Sequence, residues 1–184
     1  MSSSLTSFVF PTTFPHSPPQ TDHPPQKQTA IIRETLRLGA LLTSRLPLIS
    51  PLQPLHYTTH LIPPGHPISM SLRHILHSPT IFPSPHAFRP ERWLKSNPDL
   101  ERINQFYVPF SRGTRNCIGI NLAYAQLYIV LACVLRRYEL ELFDVSEERD
   151  ILASRDCFIG EPQLSSPGVR VSMKEVGHAV AGTD

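Results

Sequence analysis

Phe110-Ser111-Arg112-Gly113-Thr114-Arg115-Asn116-Cys117-Ile118-Gly119 constrains this chain more than any other stretch, because it fits F-x-x-G-x-R-x-C-x-G at every specified position. Five specified residues coincide by chance in a chain this short on the order of one time in ten thousand or less. The cysteine is followed by Ile118-Gly119-Ile120-Asn121-Leu122-Ala123, which reads as a buried helix with Cys117 at its start. Helix N-termini offer unpaired N–H groups and positive partial charge, which favour a thiolate there. Gly113 and Gly119 suit tight turning and the close approach of backbone to a flat ligand. Arg115, two residues before the sulfur, is placed to meet a carboxylate. The plainer alternative makes Cys117 a small buried hydrophobe and the glycines ordinary loop punctuation. The whole pattern, rather than the cysteine alone, weighs against it.

A chain of 184 residues with 40% hydrophobic content is long enough for one domain with a real core. Its 17 Lys+Arg against 15 Asp+Glu, with no basic run, give no basis for a nucleic-acid partner. Cys117, Cys133 and Cys157 form no C-x-x-C pair, and their odd number argues against a disulfide framework and for a reducing compartment. The apolar run Leu127 to Leu135 is about half of what a bilayer requires, so no transmembrane helix is expected. The N-terminus lacks the basic and compact apolar regions of a secretory signal.

Proline is in excess, with Pro11, Pro15, Pro18, Pro19, Pro24 and Pro25 all ahead of Thr29. Residues 1–28 are therefore expected to be a disordered Pro/Ser/Thr-rich tail, 29–175 the folded region, and 176–184 a flexible tail. From Thr29 the pattern changes to an N-cap candidate, apolar residues at helical spacing and a terminal glycine at Gly39, a short buried helix. Glu34 and Arg37 share one face of it, an arrangement that on its own is no more than a surface ion pair. Further on stands Phe88-Arg89-Pro90-Glu91-Arg92-Trp93-Leu94, which contains P-E-R-W.

E-x-x-R, then P-E-R-F/W, then the cysteine loop is the order of signatures in the cytochrome P-450 superfamily of haem-thiolate monooxygenases, and from about Ile31 to Val171 the chain resembles that family, in its fungal microsomal type. The resemblance implies a mixed α and β fold: the C-terminal, haem-proximal part of the mainly α P-450 fold, with short helices, a buried helix after the cysteine loop and small antiparallel β-sheets. It implies haem b as cofactor, with Cys117 as catalytic thiolate and axial ligand of the iron. Phe110, Gly113, Arg115, Gly119 and Ala123 would be cofactor-binding, Arg115 through a propionate. Glu34, Arg37 and Arg92 would form the buried charge triad that locks the region beneath the haem. A carboxylate buried between two guanidiniums must be fully hydrogen-bonded to offset its desolvation, so such a cluster specifies geometry more than it adds stability.

Between the signatures, Leu55-His56-Tyr57, Leu61-Ile62 and Ile68-Ser69-Met70 flank a Pro63-Pro64-Gly65 turn of type II character, and the stretch reads as a β-hairpin. In the family this sheet lies beside the substrate cavity, with Leu46 to Ser50 lining it. His66 and Leu48 depart from the small hydroxyl residue and the arginine frequent at those places. His74, His77 and His86 form no metal set, since Pro79, Pro83 and Pro85 deny them a shared helical face, and His77 is expected to be structural. After the cysteine loop, Gly119 to Leu135 is apolar almost all round and ends in Arg136-Arg137, a core helix behind the haem, with Gln126 where the family usually has glutamate. Tyr138, Leu140 and Leu142, and again Val169, Val171 and Met173, alternate with polar residues as strands do. The link between them carries Asp156-Cys157-Phe158-Ile159-Gly160, by resemblance the C-terminal hairpin whose tip touches substrate.

The family's distal helix, with A-G-x-[DE]-T ahead of E-x-x-R, has no counterpart upstream of Glu34, and Ala181-Gly182-Thr183-Asp184 echoes it at the wrong end. The membrane anchor and the helices that roof the haem are expected to be missing with it. The resemblance implies insertion of one oxygen atom from dioxygen into an apolar small molecule, with electrons from an NADPH-dependent reductase, at the endoplasmic reticulum membrane. The alternative is a non-catalytic haem-binding remnant or an incomplete gene model without activity.

Overall fold

The computed structural model describes residues 26–176; the expected tails over 1–25 and 177–184 lie outside the described residues. The chain opens with helix α1 (Gln26–Gly39), followed by strands β1 (Leu46–Ile49), β2 (Leu55–Tyr57), β3 (His60–Ile62) and β4 (Pro67–Met70) and helix α2 (Leu72–Leu76). A 3-10 turn over Pro90–Trp93 and helix α3 (Leu100–Gln105) lead to the long helix α4 (Ile120–Arg137). Strands β5 (Tyr138–Leu142), β6 (Arg155–Cys157), β7 (Ile159–Glu161) and β8 (Val171–Glu175) complete it.

Helix α1 begins at Gln26, so residues 26–28 are helical rather than part of a tail, and Thr29 lies inside the first turn instead of capping it. Gln26-Lys27-Gln28 are ordinary helix formers, and the Gln28 amide donates to the Tyr128 carbonyl at 3.1 Å, which anchors the extension. At the other end Val176 is no tail residue either, since its N–H donates to the Arg137 carbonyl at 2.8 Å.

Among the described residues all four sheets are antiparallel pairs: β1 with β4, β2 with β3, β5 with β8, and β6 with β7. The alternating segments 138–142 and 171–175 pair as their pattern requires, with Leu140 opposite Met173. The pairing around the proline turn differs from the sequence expectation. Gly65 does adopt φ +80°, as the third residue of a type II turn must. The turn nevertheless joins β3 to β4 without pairing them: β3 folds back on β2, with Tyr57 opposite His60, while β4 crosses to β1, with Leu46 opposite Met70. Turn chemistry fixes where the chain reverses, but strand partners are chosen by what each strand can pack against.

Burial is concentrated on the N-terminal side. Ala30, Phe82, Trp93 and Ile103 form one cluster, and Ala40, Leu76 and Val108 a second. Helix α4 is a correction: expected as a core helix, it has no buried residue. Its half-buried side faces α1, where the Tyr128 hydroxyl donates to Thr29 Oγ1 at 2.9 Å. Leu122, Ile129 and Val130 on the remaining surface are more than half exposed. An all-round apolar helix needs neighbours on every side, and among the described residues only one side is covered. By length and mean hydropathy, 18 residues and 1.2, α4 also passes the bare requirement for crossing a bilayer, which the nine-residue apolar run was expected to miss.

Hairpin β6–β7 packs against the chain leaving α1. A Cβ added to Gly160 would stand 2.7 Å from Ala153 Cβ and 3.0 Å from Thr43 Cγ2. Gly160→Ala is therefore expected to push the hairpin off this seat and to cost about 1–3 kcal/mol, the usual range for overpacking. A melting temperature equal to that of the wild type would show that the contact yields freely.

Candidate functional site: a cysteine loop braced by a buried charge lock

The lock is built first. Glu34 and Arg37 lie one helical turn apart on α1, both fully buried. Arg37 Nε donates to Glu34 Oε2 at 3.0 Å and Nη2 to Oε1 at 2.9 Å, a two-pronged pairing that only the guanidinium fork can make. Arg92 Nε reaches Glu34 Oε1 at 3.3 Å from the 3-10 turn, so the three residues expected to meet do meet. Pro90 opens that turn with its ring-fixed φ, and the turn brings the Arg92 and Trp93 side chains back toward α1.

Two partners were not anticipated. The Trp93 indole N–H donates to Glu34 Oε2 at 2.9 Å, and the Arg89 backbone N–H to Oε1 at 3.0 Å. The tryptophan stands within P-E-R-W, where its indole N–H signalled a need for an acceptor. The Arg37 guanidinium also donates to the Leu76 carbonyl at 2.9 Å, and that of Arg92 to the Ser84 carbonyl at 2.9 Å, so the cations are satisfied beyond the carboxylate. Burial by itself would raise the Glu34 carboxyl. Hydrogen bonds from Arg37, Arg89 and Trp93, together with the Arg37 charge, outweigh it and hold the group below its ordinary range. Burial lowers Arg92 in turn, but a guanidinium remains a cation at every accessible pH.

Around this lock, Arg33 lies 4.2 Å from the Trp93 ring centre and 4.5 Å from that of Tyr107, and donates to Asn104 Oδ1 at 2.5 Å. Arg33 thus joins α1, the 3-10 turn and α3 through cation–π contacts. His77 takes the structural place expected of it, its Nε2 3.0 Å from the Leu38 carbonyl. Burial lowers its pKa from the usual histidine value.

The cysteine loop is carried on this platform. Ser111 turns with φ +64° and Gly113 with φ +82°, the Asn116 N–H donates to the Gly113 carbonyl at 3.2 Å, and the Cys117 N–H closes the loop on the Phe110 carbonyl at 3.0 Å. The Arg112 guanidinium donates to the Asn104 carbonyl at 2.6 Å, tying the loop to α3. Phe110 packs on Tyr124 with ring centres 5.6 Å apart, Tyr124 stacks on Tyr128, and its hydroxyl lies 3.3 Å from that of Tyr107. This aromatic row couples the loop to α4 and, through Thr29, to the helix that bears the lock.

Cys117 itself is exposed, contrary to the plain reading of a buried cysteine. It precedes Gly119, the N-cap of α4, and a Cβ placed on Gly119 would lie 3.8 Å from Cys117 Sγ. Nothing approaches within 4 Å of where a Gly113 Cβ would be. Ile118 is fully exposed, Ala123 is half-buried on the first turn of α4, and its N–H donates to the Gly119 carbonyl at 2.9 Å. Arg115 is exposed and, with Arg112, borders a cavity of about 420 Å³ that Leu46, Leu48, Met70 and Val108 also line. A bare thiol beside two glycines, with a cation at the edge of an apolar cavity, has the donor set and the open faces that a flat iron–porphyrin with acidic side arms requires. These residues fit a haem.

The fold thus presents an exposed cysteine on a glycine-bounded loop, tied through α3 and α4 to the helix that carries a buried Glu–Arg–Arg lock. The cytochrome P450 family model matches residues 28–165. Over 148 residues, 80% of the chain, it is 40% identical to the cytochrome P450 monooxygenase claJ of Penicillium crustosum. It is 42% identical over 79% of its length to the tryptophan 6-hydroxylase fscE of Fusarium equiseti, and 41% over 81% to the N-acetyltryptophan 6-hydroxylase ivoC of Emericella nidulans. The chain belongs to the cytochrome P450 family. It spans 34%, 28% and 29% of those three relatives, about a third of their length or less.

Proposed function

We propose that this chain is the C-terminal, haem-proximal portion of a haem-thiolate monooxygenase that oxygenates an apolar small molecule, with Cys117 as the axial ligand of haem b. The observation that carries the proposal is the exposed Cys117, fixed by its backbone bond to Phe110 and open to a flat ligand across Gly113 and Gly119. Bound there, the haem supplies dioxygen activation, which a thiolate ligand promotes. Cys117 would hold the iron, and Arg115 would pair with a propionate. Phe110, Gly113, Gly119 and Ala123 would shape the face against which it lies. Glu34, Arg37 and Arg92 keep that face in place. Two of the relatives bear names as hydroxylases of tryptophan and N-acetyltryptophan, which supports a small molecule bearing a planar aromatic ring as substrate here. An NADPH-dependent reductase as electron donor and residence at the endoplasmic reticulum follow from the same reading.

The open side of α4 favours a second reading, a haem-binding remnant without turnover. If the side facing away from Cys117 stays uncovered, water enters and removes the low-dielectric surroundings and controlled proton delivery that oxygen chemistry needs. The experiment measures oxygenated product per reducing equivalent for this chain and for one extended upstream through a distal helix, each with haem, reductase and reduced nicotinamide. Peroxide without product is expected from the short chain and coupled product from the longer one. Coupled product from the short chain would overturn its assignment as a portion, and product from neither would favour the remnant.

A further inference from the structure

The hairpin β6–β7 turns at Phe158, a bulky residue held at φ +75°, a backbone state that only surrounding constraints maintain in a side chain of this kind. Those constraints are on view. Asp156 Oδ1 accepts hydrogen bonds from Thr43 Oγ1 at 2.6 Å, Ser44 Oγ at 2.9 Å and the Phe158 N–H at 3.1 Å. The Phe158 carbonyl in turn accepts from the N–H groups of Thr43 at 3.2 Å and Ser44 at 3.4 Å, and the Gly160 N–H donates to the Leu41 carbonyl at 3.0 Å. Gly160 lies close enough to Thr43 that a Cβ on it would stand only 3.0 Å from Thr43 Cγ2. Two residues beyond Ser44 the chain becomes β1, whose Leu46, Pro47 and Leu48 line the cavity bordered by Arg112 and Arg115.

One carboxylate therefore joins two segments far apart in sequence: the strained tip carrying an aromatic ring more than half exposed, and the strand that walls the cavity. The three donors also hold the carboxyl in its ionised form, below the usual aspartate range, chiefly through Thr43 and Ser44. Such a network in contact with water adds little to global stability. Its effect is on relative position.

We propose that Asp156 is a positioning residue for the apolar cavity: through Thr43 and Ser44 it fixes the chain that enters β1, and so sets where Leu46, Pro47 and Leu48 stand in the wall that an apolar ligand of the haem site meets. The proposal rests on the haem-thiolate reading of Cys117. Its test uses the haem-loaded chain and two iron ligands, imidazole, which reports access to iron, and 4-phenylimidazole, which adds an apolar ring beside it. In Asp156→Ala, imidazole binding followed by the visible absorption change is expected to be unaltered, while 4-phenylimidazole binds roughly fivefold more weakly, as for loss of about one effective hydrogen bond. Asp156→Asn, which keeps an oxygen acceptor in the same place, restores it, and Thr43→Val with Ser44→Ala reproduces the loss. Amide hydrogen exchange on the haem-free chain supplies a readout that needs no haem. Asp156→Ala is expected to speed exchange in peptides covering 41–50 and 155–161 while leaving 30–39 unchanged.

Faster exchange together with selective loss of 4-phenylimidazole supports the proposal. Unchanged exchange overturns it, as does faster exchange with equal 4-phenylimidazole affinity, since the clamp would then not shape the cavity. If the wild type binds haem but imidazole produces no shift, or if it takes up no haem at all, the haem-site reading fails and the positioning role falls with it, whatever the exchange rates.

Discussion

Glu34→Ala unfolds the chain or leaves it about 3–5 kcal/mol less stable, because it strands two buried cations without their carboxylate. The side chain is wholly buried and receives donors from Arg37, Arg89, Arg92 and Trp93, of which Arg37, Arg92 and Trp93 are themselves buried. The loss exceeds that of a core methyl deletion, since a buried guanidinium without a counter-charge retains its desolvation cost and loses the attraction that offset it. Glu34→Gln tests the charge at constant shape: the amide presents its own N–H groups to the guanidiniums, so it too is expected to destabilise. The effect also has a pH signature. The folded-state pKa of Glu34 lies below its unfolded value, so this group's contribution is fully present above the unfolded pKa, about 4.3. It is lost as pH falls through the lower, folded value. Wild-type melting temperature should drop on acidification below about pH 4, and the Glu34→Ala variant should lack that part of the slope. Equal melting curves for variant and wild type at neutral pH would reduce the lock to an ordinary ion pair.

Cys117→Ser has the opposite profile, a large change in chemistry with little change in fold. The sulfur is exposed, and the bond that closes the loop runs from the backbone N–H of residue 117 to the Phe110 carbonyl, which serine preserves. Thermal stability of the haem-free chain is therefore expected to match the wild type. The thiolate-type band of the ferrous carbonyl complex should disappear entirely, because a serine hydroxyl does not supply the soft, electron-rich ligand on which that spectrum depends. Cys133 and Cys157 are also exposed, so exposure alone does not distinguish the three. Cys133→Ser and Cys157→Ser should retain the band, since neither is placed beside Gly113, Gly119 and Arg115. A band that survives Cys117→Ser, or one that vanishes with Cys133→Ser instead, would reassign the ligand.

The two residues differ in how far the sequence alone could carry them. The cysteine loop is a local object: its glycines, its arginine and its sulfur lie within ten residues, so their spacing already determines what they can surround. The lock spans 58 residues from Glu34 to Arg92, and E-x-x-R by itself is compatible with a solvent-exposed pair. Its meaning came from order along the chain, and its closure by Trp93 and the Arg89 backbone required the fold. Where pattern reading went astray, the reason was the same. Pro64-Gly65 located a turn, yet β4 pairs with β1 across intervening chain. The apolar circumference of α4 implied burial, yet burial depends on neighbours that sequence periodicity does not count. Asp156 gave no signal, since an acidic residue in a turn is commonplace and two of its three donors, Thr43 and Ser44, are more than 110 positions away.

The sequence by itself determined the cysteine loop, the helix that follows it, the alternating strands 138–142 and 171–175, and membership of the P450 family, because each rests on residues close together or on a fixed order of short signatures. Only the tertiary structure decided which strands pair, that Glu34 is buried among its donors rather than exposed, that among the described residues α4 is open on one side, and that Asp156 ties a hairpin tip to the chain entering β1. Those are relations between distant segments, set by desolvation and by the satisfaction of buried polar groups, and no single segment contains them.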